Sequence, residues 1–125
     1  MPPETILIVD DDPICLTIAS LALQTAGFET RTAADGMEAL DLLNVLQPAL
    51  ILSDIQMPHM DGFELARRAR QIPRLRDIPM VALTAFDAPD TEQRAREAGF
   101  TAYMKKPIHA ASLANRLRRF LSRCP

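Results

Sequence analysis

A chain of 125 residues with 48% hydrophobic content is long enough to bury one core of its own, so a single domain over residues 1–125 is expected. A formal charge of -2 gives no global attraction to nucleic acid or acidic membranes, and the two cysteines, Cys15 and Cys124, are too few and too far apart for a disulfide framework or a zinc site. No apolar stretch approaches the ~20 residues of a membrane span, and Met1 to Thr5 lacks the basic and apolar regions of a signal peptide, so a cytoplasmic location is expected.

In chain order, Ile6 to Val9 is a continuous apolar run that reads as a strand buried on both faces, and it ends on Asp10, Asp11 and Asp12. Pro13 suits the first position of a helix, which predicts Asp12 as its N-cap. The helical period that follows is visible at Ile14, Ile18 and Leu21, with Cys15 a small, buried or half-buried hydrophobe. Phe28 to Ala33, where Glu29 and Arg31 alternate against Thr30 and Thr32, looks like an edge strand. A second helical period shows at Leu40 and Leu43, then a second continuous run, Leu50 to Leu52, ends in Ser53 and Asp54. Phe63, Ala66 and Ala69 mark a third helix, and Met80 to Leu83 a strand ending on Thr84. The stretch from Ala88 to Ala98 offers little more than Ala95 and Ala98 to a core, so a fourth helix there should be the most mobile. Ala102 to Lys105 ends on Lys106, and Leu113, Leu117, Phe120 and Leu121 give the clearest helical period. Two arginine clusters, Arg67 to Arg76 and Arg116 to Arg123, read as solvated helix faces.

Five alternations of apolar and amphipathic runs predict repeated strand–helix units around a parallel sheet. Such a sheet gathers function at the carboxyl ends of its strands, where Asp10, Asp11, Asp54, Thr84 and Lys106 should converge. Two like charges about 5 Å apart repel by roughly 3 kcal/mol at an effective dielectric near 20, so three carboxylates there call for a hard divalent cation, and Mg2+ with its preference for oxygen fits. Of 14 basic residues only Lys105 and Lys106 are lysine. A compact point charge rather than a planar fork is therefore wanted at that strand end, and the strand's period of two lets only one of the pair face the site. His59 and His109 lack ligand spacing; His59 reads as a loop residue and His109 as the start of the last helix.

Ser53-Asp54-Ile55-Gln56-Met57-Pro58-His59-Met60-Asp61-Gly62, the acidic pair after the first strand, Thr84-Ala85, Tyr103 and Lys106-Pro107 together closely resemble the receiver domain of two-component response regulators. The resemblance covers essentially the whole chain. It implies a flavodoxin-like, doubly wound five-stranded parallel sheet in the order 2-1-3-4-5 and a cis Lys106-Pro107 peptide. It implies Asp54 as phosphoacceptor and Mg2+ held by Asp11, Asp54 and the Gln56 carbonyl, with Asp10 acting through water. Lys106 would neutralise a phosphoryl oxygen, while Thr84 and Tyr103 would act as the switch. Expected partners are a histidine kinase or histidine phosphotransfer domain, and an effector or second copy through the fourth helix, fifth strand and fifth helix. Gln56 and Phe86 are expected to set the phosphoryl lifetime. A magnesium-dependent phosphohydrolase of haloacid dehalogenase type also uses a nucleophilic aspartate, a hydroxyl and a lysine, but it places an aspartate where this chain has Gln56. A receiver serving as an unphosphorylated binding module is the third reading; those usually lose one of the five site residues, all present here.

Overall fold

The computed structural model describes residues 4–85 and 88–121. The apolar runs form strands β1 (Thr5–Val9), β2 (Glu29–Ala33), β3 (Leu50–Asp54), β4 (Met80–Thr84) and β5 (Ala102–Lys105), paired in parallel in the order β2-β1-β3-β4-β5. Between and after them run α1 (Pro13–Thr25), α2 (Gly36–Leu43), α3 (Gly62–Arg70), α4 (Thr91–Ala98) and α5 (Ala110–Leu121), with a short 3-10 turn at Pro73–Leu75. This is the parallel sheet that the alternating pattern predicts, in the flavodoxin-like, doubly wound order that the receiver resemblance implies.

Every residue of β3 and β4 is buried, as continuous apolar runs require in a sheet covered on both faces. One layer packs Leu7, Val9, Ile51 and Met80 against α2, α3 and α4; the other packs Ile8, Leu52, Val81 and Leu83 against α1 and α5. In register, Val9 lies beside Ser53, Asp54 beside Leu83 and Thr84 beside Lys105, so the polar residues ending four strands meet at one edge of the sheet.

Helix α1 departs from the pattern read in its sequence. Ile14, Ile18 and Leu21 are 69%, 39% and 59% exposed, while Ala19 and Leu23 are fully buried and Leu16 and Ala22 pack beside them. The helix is apolar on both sides, and its bulkier stripe faces away from the sheet. The first arginine cluster also divides. Arg67 and Arg68 are exposed partners of Glu64, but Arg70 is half-buried and donates to backbone carbonyls, and Arg74 reaches the Leu43 carbonyl. In the second cluster Arg118 caps the Ala26 carbonyl at 2.9 Å and lies over the Phe28 ring. Helix α4 buries Thr91, Ala95 and Ala98, small side chains all. Among the described residues no helix is long and apolar enough to cross a membrane. Phe86, Arg123 and Cys124 lie outside the described residues.

Candidate functional site

The chain leaves β1 at Asp10, whose backbone N–H donates to the Ala33 carbonyl at 3.1 Å and whose Oδ1 accepts from the Asp12 N–H at 3.0 Å. Asp12 caps α1, accepting from the Ile14 N–H at 3.0 Å, and Pro13 follows at the first helical position. That backbone bond, with a second from the Cys15 thiol, holds the Asp12 carboxyl below its ordinary range. Cys15 is half-buried, and desolvation raises its thiol, which stays protonated and donates to Asp12 at 3.3 Å. Asp12 thus serves the helix as expected, while Asp10 and Asp11 stand with Asp54 at the end of the sheet.

Asp54 ends β3 with only 6% of its surface exposed. Its Oδ1 accepts from the N–H groups of Ile55 (2.8 Å) and Gln56 (3.3 Å), and its Oδ2 lies 3.3 Å from Lys106 Nζ. The same ammonium sits 2.8 Å from Asp10 Oδ2. Burial, and then the charge of Asp10, push the Asp54 carboxyl up to about 6 despite Lys106 and the backbone donors. Desolvation opposes the charge on Lys106, but Asp10 and Asp54 outweigh it and raise its pKa. One oxygen each from Asp10, Asp11 and Asp54 lies within 4.8 Å of the others. Three carboxylates against one ammonium leave an excess of negative charge on oxygen donors alone, a set that suits a hard divalent cation.

Lys106 is directed here by the Thr84 carbonyl, which accepts its backbone N–H at 2.9 Å, and its peptide to Pro107 is cis. Lys105 is exposed, as the strand period requires. Thr84 is fully buried at the site edge, and Tyr103 is half-buried against the α3/α4 layer. Gln56 is exposed at the mouth. Beyond it Met57 and Met60 turn inward, and His59 takes a left-handed φ of 70° in the exposed loop. The loop closes on Gly62, whose N–H donates to the Ile55 carbonyl at 2.7 Å. A Cβ at Gly62 would stand 2.4 Å from the Asp54 carbonyl oxygen, so only glycine lets α3 start this close to Asp54.

The structure brings Asp10, Asp11, Asp54, Thr84 and Lys106 to one edge, with Gln56 beside them and Tyr103 farther along β5. Sequence reasoning did not foresee the direct Lys106–Asp10 pair, the carbonyl clamp of Arg70, or Arg94, whose guanidinium lies 4.5 Å from the Phe63 ring centroid. The Asp61-Gly62 dipeptide was the only local signal for the close approach of α3.

The family model for the response regulator receiver domain matches residues 6–118. The chain belongs to that family. It is 34% identical over 119 residues to the polar-differentiation response regulator DivK of Brucella anthropi, covering 95% of this chain and 97% of that protein. The chemotaxis protein CheY4 of Vibrio cholerae superposes with a TM-score of 0.91 at 34% identity, covering 95% of this chain and 99% of the other. A signal receiver domain of a histidine kinase from Syntrophus aciditrophicus gives a TM-score of 0.86 at 36% identity, covering 95% of this chain and 90% of the other. The receiver is thus a two-component signalling domain, and phosphorylation on aspartate and Mg2+ binding are typical of its family.

Proposed function

We propose that this receiver, one domain spanning residues 1–125, accepts a phosphoryl group on Asp54 from a phosphohistidine of a histidine kinase or histidine phosphotransfer domain. The observation that carries the reading is a buried Asp54 at the centre of two further carboxylates and one lysine. An Asp54 carboxylate oxygen bonds to phosphorus as the nitrogen–phosphorus bond breaks. The departing imidazole keeps that electron pair and takes a proton. With its pKa about 6, Asp54 is mostly ionised at neutral pH and ready as a nucleophile.

Mg2+ would be held by Asp11, Asp54 and the Gln56 backbone carbonyl, with Asp10 acting through water, and would supply charge neutralisation and a template for the phosphoryl oxygens. Lys106 neutralises a further phosphoryl oxygen, a matter of positioning and charge rather than covalent chemistry. Thr84 then donates its hydroxyl to the phosphoryl group, drawing the following loop inward and giving the Tyr103 ring room to turn. The surface of α4, β5 and α5 presents the result to an effector or a second copy.

The exposed stripe Ile14, Ile18 and Leu21 begins beside the site and borders an apolar groove of about 570 Å3 between α1 and α5. A helical, histidine-bearing partner lying on this stripe would deliver its phosphoryl group over Asp54. The hydrolase reading is disfavoured because Gln56 is neither acid nor base, so the domain acts as a phosphoacceptor that turns over slowly. A cytoplasmic location suits such partners.

Treatment with acetyl phosphate and Mg2+ should add one phosphate by intact mass, and Asp54→Asn should abolish it. A phosphate mapped to Asp10, Asp11 or His59 would overturn the assignment. Mg2+ should also raise the Tm of the wild type increasingly above its Kd. Asp11→Ala should lose that response and Asp12→Ala should keep it.

A further inference from the structure

Helix α4 is fastened differently at its two ends. At the C-terminal end the Arg70 guanidinium, reaching from α3, donates to the carbonyl of Gly99 at 2.9 Å and to those of Leu75, Arg76 and Ile78 at 2.7, 3.0 and 2.7 Å. One rigid fork thereby joins the end of α3, the lead into β4 and the turn between α4 and β5. The turn is fitted to it: Gly99 has a φ of +121°, and a Cβ there would lie 2.8 Å from Arg70 Cγ. At the N-terminal end the described fastening is local, the Thr91 hydroxyl accepting from the Ala88 N–H at 3.2 Å and the Thr91 N–H donating to the Ala88 carbonyl at 3.1 Å. Asp90 makes no side-chain cap hydrogen bond among the described residues, and the buried side chains of α4 are small.

What crosses to α3 at that end is Arg94, lying over the Phe63 ring. The two partners belong to different parts of the machine. Phe63 follows Gly62, which is pressed against the Asp54 carbonyl, so its ring is fixed relative to the phosphoacceptor. Arg94 rides on the helix into which the chain from Thr84 leads. Next to the stack lies a pocket of about 460 Å3 lined by Gln56, Met57, Thr91 and Arg94, opening beside the site.

We propose that α4 is a hinged latch, with Arg70 fixing its C-terminal end as the hinge and the Arg94–Phe63 stack holding its N-terminal half closed against the phosphoacceptor loop. Its coupling to signalling rests on Asp54 being the phosphoacceptor. When Thr84 is drawn toward a phosphoryl group, the N-terminal half of α4 shifts away from Phe63 while Arg70 keeps the other end in place. The stack therefore favours the unphosphorylated arrangement, and weakening it should ease phosphoryl capture.

Amide hydrogen exchange of the full chain, read at residues 94–98, tests the latch without any phosphoryl group. Arg94→Met and Phe63→Leu should speed exchange there by about two- to five-fold, the factor an exposed cation–π contact represents, and Arg94→Lys should restore most of the protection. Arg70→Met should extend the effect through residues 99–101. Binding of beryllofluoride with Mg2+, followed by 19F NMR, should tighten by a similar two- to five-fold in Arg94→Met. Unchanged exchange in Arg94→Met, or unchanged or weaker beryllofluoride binding in that variant, would overturn the latch. A wild type that takes up no beryllofluoride at all would instead overturn the phosphoacceptor reading, with the exchange measurement still deciding whether the stack restrains α4.

Discussion

Helices α3 and α4 lie side by side on one face of the sheet, nine and eight residues long, and hold on by different means. Helix α3 is capped by Asp61, buries Phe63, Leu65, Ala66 and Ala69, and starts against Asp54. Helix α4 buries only Thr91, Ala95 and Ala98. Each carries an exposed i,i+4 pair, Glu64–Arg68 at 2.8 Å and Glu92–Arg96 at 3.1 Å. Exposed pairs of this kind are screened by solvent and contribute little to either helix, so ion pairing does not separate the two. Buried apolar side chains do, at roughly 1.5–3 kcal/mol for each large one. On the phosphoacceptor reading proposed above, the two helices divide the work: α3 would hold Asp54 still, and α4 would be the one free to move when it is modified.

The sharpest test compares core deletions in the two helices. Leu65→Ala in α3 should cost about 2–5 kcal/mol of unfolding free energy, because it empties a fully buried site. Ala95→Gly in α4, also at a fully buried position, removes one methyl and some helix propensity and should cost about 1–2 kcal/mol. Urea unfolding of both variants measures this. Equal costs would break the comparison.

The fixed half also stores an electrostatic cost at Asp54, whose folded pKa of about 6 lies above its ordinary 3.8. A carboxyl raised on folding binds its proton more tightly in the native state. The penalty is therefore full above the folded pKa and disappears as pH falls from about 6 toward 4. In chelator, Asp54→Asn should be more stable than the wild type by roughly 1–3 kcal/mol at pH 7 after screening by solvent, with the gap closing by pH 4. A pH-independent gap would show that the cost lies in packing, not ionisation.

The edge where Asp10, Asp54, Thr84 and Lys106 meet was legible because a parallel sheet leaves its strand-end residues in one place, and each of the four follows a strand-like run. The capping role of Asp12 followed from Pro13 in the same way. Helix α1 was not legible, since Ile14, Ile18 and Leu21 form as good a helical stripe as Leu16, Ala19 and Leu23. Only the sheet decides which stripe is covered, and it takes the one with the smaller Ala19. Arg70 and Arg94 escaped for a related reason. Their partners, the Gly99 carbonyl and the Phe63 ring, are 29 and 31 positions away in sequence, and nothing local distinguishes them from the solvated arginines nearby.

The smallest effect is the most discriminating, because it isolates helix ends that look alike in sequence. Both helices begin after an aspartate with a glutamate in the first turn: Asp61 with Glu64, and Asp90 with Glu92. Asp61 has an extended backbone and accepts from the Glu64 N–H at 2.9 Å, so its carboxylate satisfies an otherwise unpaired donor. Asp90, at φ -101° and ψ 6°, lacks the extended geometry a capping side chain needs. Asp61→Ala should cost about 1 kcal/mol, whereas Asp90→Ala should lose only a few tenths through the helix dipole. If Asp90→Ala costs as much as Asp61→Ala in chelator and without phosphodonor, the start of α4 is held as firmly as that of α3, and the division between a fixed and a movable helix fails at its origin.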